Sequence, residues 1–180
     1  MKPKFKIKNL KLKINNGFTL VEIILYMTLV SIFILTLTDI FTAILDVKTE
    51  SEATSSVEQD GRFILARMAY DIHGIPANWT VNPPNALGDT SNSLRWILTS
   101  PCCFSATYSL NNGNLQLAYP AGFGTYNLNS SETTVSGLSF TKRGNAGGKE
   151  TITAQFTVTS KTQRPQGPET RTFNTTIERR

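Results

Sequence analysis

The run FTLVEIILYMTLVSIFILTL, Phe18 to Leu37, holds twenty residues and a single charge, Glu22. At about 1.5 Å of rise per residue such a helix measures roughly 30 Å, the thickness of a bilayer's hydrocarbon core. Lys2, Lys4, Lys6, Lys8, Lys11 and Lys13 precede it with no acid among them. By the positive-inside tendency that side is cytoplasmic, and everything after Asp39 lies outside the cytoplasm. An ordinary secretory signal shares this layout. The apolar run is longer than a usual signal core, however, and TLTDIFTAILDVKTE at its end lacks an A-x-A-like cleavage site.

The leader also accounts for the charge. The chain carries a net +5, but setting those six lysines aside leaves twelve basic residues against thirteen acids. The remainder is close to neutral, which excludes a protein that binds nucleic acid through its overall charge. A length of 180 residues admits one domain with an appendage.

The hexapeptide GFTLVE, Gly17 to Glu22, stands where the leader meets the apolar run. With the basic leader before it and the apolar run after it, it resembles the prepilin-type N-terminal segment of type IV pilins and type II secretion pseudopilins. The resemblance implies cleavage after Gly17 by a membrane prepilin peptidase, N-methylation of the new terminus Phe18, and Glu22 as the family's acidic position. It implies as partners that peptidase/methylase, other pilin or pseudopilin subunits and an inner-membrane assembly platform, with the lipid bilayer as partner before assembly. No cofactor is implied. The implied location is the inner membrane, single-pass, N-terminus cytoplasmic and head extracytoplasmic, then a pilus or pseudopilus.

Physical chemistry is consistent with that acidic position. A carboxylate costs about 2.5–3.5 kcal/mol at mid-bilayer and less near a helix end. Glu22 lies one turn inside the new terminus, where the helix dipole favours negative charge. The resemblance implies that Glu22 of one subunit neutralises the Phe18 amine of its neighbour. The plainer alternative is a carboxylate that snorkels to the interface.

No proline occurs between Pro3 and Pro76, and helical periodicity continues past the apolar run. Ile40, Ile44 and Val47 form one stripe; Ala53, Val57, Ile64, Leu65, Met68 and Ile72 continue it. Glu58 with Arg62, and Arg67 with Asp71, are opposite charges four residues apart. Gly61 either permits close backbone packing against the head or marks a bend. HGIP, His73 to Pro76, ends the helix. A loop from Ala77 to about Ser93 precedes short β-like stretches. LRWILTS is one; FSATYSL and LQLAYP flank NNGN, and SGLSFTKR and KETITAQFTVTSK flank GNAGG, as two hairpins. TRTFNTTIERR closes the chain.

The expected fold is therefore α+β and pilin-like: a long N-terminal α-helix, transmembrane in its first half, packed on a C-terminal antiparallel β-sheet head. The expected divisions are a basic leader 1–17, a transmembrane and filament-core helix 18–38, its amphipathic continuation 39–73 and a β-rich extracytoplasmic head 74–180. EQDGRFILARMAYDI, Glu58 to Ile72, resembles the helix end of W-type minor pilins and J-type minor pseudopilins. Major pilins commonly carry a proline in the membrane-proximal helix; this chain has none there, which favours a minor component.

Other candidate sites carry less chemistry. Cys102 and Cys103 are the only cysteines; they are free or buried thiols, a vicinal disulfide or an intersubunit bond. Without clustered His or acids they make no zinc site. His73, the single histidine, reads as a helix-end residue. GNAGGKET fails the phosphate-loop spacing, and Glu150 stands where Ser or Thr belongs. Asn78 and Asn174 fit the glycosylation triplet, a pattern that recurs by chance in Asn- and Thr-rich chains. Trp79 is a candidate binding aromatic, Trp96 a core residue. Lys142, Arg143 and Lys149, or Arg171, Arg179 and Arg180, are candidate local basic patches. The reading is a structural filament subunit and not an enzyme, since no reactive constellation is assembled. The alternative is a pilus-displayed binding module, an adhesin or a DNA-uptake receptor.

Overall fold

A computed structural model describes residues 17, 19–76, 79–98, 104–120, 122–145 and 148–179. Phe18, Asn78, Cys102, Cys103 and Arg180 lie outside the described residues. The chain divides into two compact units between Ile44 and Leu45.

One helix, α1 (Leu20–His73), contributes to both units. In the first unit its large apolar side chains are all exposed, Val21 at 72% and Leu35 at 67%. This stretch is a candidate single membrane span by length and composition. In the second unit α1 becomes one-sided. Ala53, Val57, Gly61, Ile64, Met68 and Ile72 are buried, at the three- and four-residue spacing of one helical face. At its end the Gly74 N–H donates to the Tyr70 carbonyl at 3.0 Å, and Pro76 follows.

The rest of the second unit is antiparallel β-structure. The strands are β1 (Thr80–Val81), β2 (Thr90–Ser91), β3 (Leu94–Leu98), β4 (Phe104–Asn111), β5 (Asn114–Ala118), β6 (Thr125–Asn127), β7 (Thr133–Gly144), β8 (Glu150–Ser160) and β9 (Thr170–Glu178). The α+β layout expected from the sequence is found. The head, however, divides into two sheets, ordered β1-β3-β4-β5-β6 and β2-β7-β8-β9. The stretch read as a loop supplies one two-residue strand to each of them.

Local chemistry sets the turns. Asn112 (φ 49°) and Gly113 (φ 77°) form a two-residue hairpin loop between Asn111 and Asn114, both central residues in the left-handed region that Asn-Gly suits. In β7 a bulge between Ser136 and Ser139 changes the phase of the strand. Val135 before it and Leu138 and Phe140 after it all reach the core.

Residues of α1 and of both sheets share one hydrophobic core, with Tyr108, Phe140 and Phe156 its largest fully buried side chains. Gly61 resolves in favour of close packing. A Cβ there would collide with the ring of Phe173 on β9. That ring stacks on Phe156 at a centroid distance of 5.7 Å, so it has little room to yield. Gly61→Ala gains about 1 kcal/mol of helix propensity but overpacks this contact at about 1–3 kcal/mol. The expected net result in chemical denaturation of the full chain in detergent is a loss of about 1 kcal/mol. In the Gly61→Ala/Phe173→Leu double variant, a coupling energy that recovers most of that loss identifies the ring as its source.

Candidate functional site

The first turn of α1 is capped by the Thr19 side chain, a feature the sequence reading passed over although Thr three residues before Glu22 is an N-cap signal. Thr19 Oγ1 accepts from the Glu22 backbone N–H at 3.2 Å, and the Thr19 carbonyl accepts from the Ile23 N–H at 3.2 Å. The Glu22 carboxylate accepts from the Tyr26 hydroxyl at 3.3 Å, one turn further on. Glu22 is partly buried while its neighbours are exposed. Gly17 is exposed, with no atom within 4 Å of where a Cβ would stand.

Beyond this turn the hydroxyls of the apolar stretch bond back to the helix. Thr28 donates to the Ile24 carbonyl and Ser31 to Met27, each at 2.7 Å; Thr36 donates to Phe33 and Thr38 to Ile34, each at 2.9 Å. A polar group satisfied within its own helix does not penalise an apolar surrounding. The surface from Leu20 to Leu37 therefore behaves as hydrocarbon, with its one carboxylate in the first turn.

At the other end, three carboxylates of α1 hold the head. Asp60, 8% exposed, accepts from the Ser130 N–H at 2.9 Å, the Ser130 hydroxyl at 2.8 Å and the Thr133 hydroxyl at 2.5 Å. Asp71 accepts from the Tyr108 hydroxyl at 2.6 Å and from Arg67 Nε at 2.9 Å, and Arg67 donates on to the Tyr119 hydroxyl at 3.0 Å. Burial, reinforced by the Asp71 carboxylate, pushes the Tyr108 phenol well above the usual tyrosine range. Glu58 accepts from Arg62 Nε at 2.9 Å and pairs with Arg171 on β9.

The candidate basic patches are largely spoken for. Lys142 and Arg179 share Glu150 at 2.9 and 2.7 Å; Lys149 faces Glu178 at 2.6 Å; Arg171 reaches Glu169 at 3.1 Å besides Glu58. Arg179 also donates to the Trp79 carbonyl at 2.8 Å, fastening the last strand to the segment after the helix. His73 Nδ1 lies 3.2 Å from the Glu178 carbonyl, a helix-end contact with β9. Trp79 packs edge-on against Phe104 at 5.8 Å, and Trp96 is buried beside Tyr108. Asn174 is exposed on β9.

Asp60→Ala leaves the buried Thr133 hydroxyl without its acceptor while the exposed Ser130 donors turn to water, and should cost about 1–3 kcal/mol of unfolding free energy, read by denaturant titration. A pH effect accompanies the exposed pairs. Arg62, by hydrogen bond, and then Arg171 hold the Glu58 carboxyl below its usual value of 4.5, and Lys149 does the same for Glu178. The folded head thus binds fewer protons than the unfolded chain in acid. The contribution of these pairs is complete above pH 4.5 and lost as pH falls through the lowered values. Melting temperature against pH should fall less steeply in acid for Arg62→Gln/Lys149→Gln than for the unaltered chain.

No family model matches the chain, and no curated protein or solved structure is significantly similar to it.

Proposed function

We propose that this chain is a prepilin-type precursor: a minor pilin or pseudopilin, cut after Gly17, methylated at Phe18 and assembled through α1 into a type IV pilus or type II secretion-like filament. The observation that carries the reading is the capped first turn of α1, where Glu22 is the single carboxylate of the apolar run Phe18 to Leu37 and lies just beyond the GFTLVE junction's Gly-Phe bond. The long apolar helix leading into an antiparallel head is compatible with it.

The mechanism is structural. Before assembly the exposed apolar surface of α1 lies in lipid. In the filament, neighbouring helices replace lipid around it, so little hydrophobic free energy changes hands and packing decides the partner. Cleavage frees an α-amine one turn from Glu22. In an apolar surrounding, an amine and a carboxylate that meet across two chains relieve each other's desolvation, and the pair fixes the axial depth at which one helix sits on the next. The head then caps, initiates or decorates the fibre. The mutual pairing of the candidate basic residues leaves less open charge for the DNA-receptor alternative.

Mass spectrometry of the envelope-extracted protein tests the class. The expected N-terminus is Phe18 with one extra methyl group, and a start at Met1 in cells that process other pilins would overturn it. Glu22→Gln should still be cleaved, yet its recovery in sheared fibres should drop about ten-fold, one charge-assisted hydrogen bond's worth of free energy. Undiminished recovery removes the docking role from Glu22.

A further inference from the structure

Of the four sheet edges, three are blunt. The first sheet ends in β1, of two residues, and β6, of three; the second ends on one side in β2, of two. The fourth edge is β9, nine residues in unbroken register with β8 from Thr170 to Glu178. Natural sheets protect a long edge with lysine, proline or a bulge. TRTFNTTIE has none of these, and its one arginine is engaged by Glu58 and Glu169.

The flanking hydrogen bonds fix which backbone groups are free. The Arg179 N–H donates to the Glu150 carbonyl and the Ser160 N–H to the Glu169 carbonyl, in the same register as the strand pairs between them. In an antiparallel ladder, hydrogen-bonded pairs alternate with pairs whose backbone groups point away. The odd-numbered residues of β9 therefore bond to β8. Thr170, Thr172, Asn174 and Thr176 turn their N–H and C=O groups outward, and all four residues are exposed. Among the described residues, only at Glu178 does a side chain, His73, take an outward carbonyl.

A groove of about 890 Å³ lies beside this edge, lined on the helix side by Ala69, Tyr70, Asp71 and His73 and on β9 by the stretch from Thr175 to Glu178. The opposite face is a field of uncharged hydroxyls, with Thr153 and Thr176 bonded at 3.0 Å, Thr157 and Thr172 at 2.9 Å, and Thr159 and Thr170 at 3.2 Å.

We propose that β9 accepts an added strand from a different protein chain. The occupant is an extended segment with apolar side chains at alternate positions, facing Ala69 and the exposed ring of Tyr70, and hydroxyl or amide side chains between them, continuing the threonine field. Parallel pairing of two copies about a two-fold sets like residues level, so that donors meet donors. Antiparallel pairing of two copies through β9 is the competing outcome, and edge protection that rises with the concentration of the purified chain in detergent overturns the proposal.

Hydrogen exchange of the full chain tests this, comparing intact envelopes with detergent extracts over the segment from Glu169 to Arg179. The expected result is exchange at Thr170, Thr172, Asn174 and Thr176 that is about ten-fold or more slower in the envelope. Equal rates overturn the proposal. Thr172→Pro/Thr176→Pro removes two outward N–H groups while sparing the ladder to β8, and should abolish the slowing. Should that variant lose protection along β8, Asn174→Lys does the same by placing a charge on the edge. Slowing that survives in a folded edge variant also overturns the proposal. A Met1 start with a protected edge would sink the filament reading and leave the strand acceptor standing, whereas a methylated Phe18 with an open edge does the reverse.

Discussion

Everything in this molecule follows from the need to cover one helix. Over its first half the large apolar side chains of α1 are exposed in every direction. From Ala53 onward a single face is apolar, and that face disappears into a core shared with both sheets. The change from all-round to one-sided hydrophobicity is the boundary between a helix that needs an external apolar medium and one that supplies its own.

Polar chemistry fixes where the second half sits. Hydrophobic burial alone would let a helix slide by a turn along its sheet at modest cost. Asp60, received by a backbone N–H and two hydroxyls around Ser130 and Thr133, permits one axial position. Phe173 over the bare Cα of Gly61 fixes the approach, and the Tyr108–Asp71–Arg67–Tyr119 chain joins the helix's last turns to the first sheet. Such buried networks specify an arrangement as much as they stabilise it.

What could be read from the sequence was whatever has a local cause. Asn-Gly between two alternating stretches announces a tight hairpin, and Ile152, Ala154, Phe156 and Val158 announce the buried side of β8. The four-residue charge pairs at Glu58–Arg62 and Arg67–Asp71 form as their spacing dictates. Non-local causes were illegible. Gly61 has a meaning only once Phe173 is opposite it, and Glu150 and Glu178, acceptors of the candidate basic patches, are assigned by strand register. The division into two sheets has no local signal either. At the N-terminal junction the reverse happened, because the N-cap Thr19 is a local signal whose physical meaning was overshadowed by the motif containing it.

The inward-folded hydroxyls of Thr28, Ser31, Thr36 and Thr38 have a corollary. With their protons returned to their own backbone, these four hydroxyls present no donor to a neighbour. The medium around this stretch need supply no acceptor for them, so lipid and the flank of another apolar helix would serve it alike.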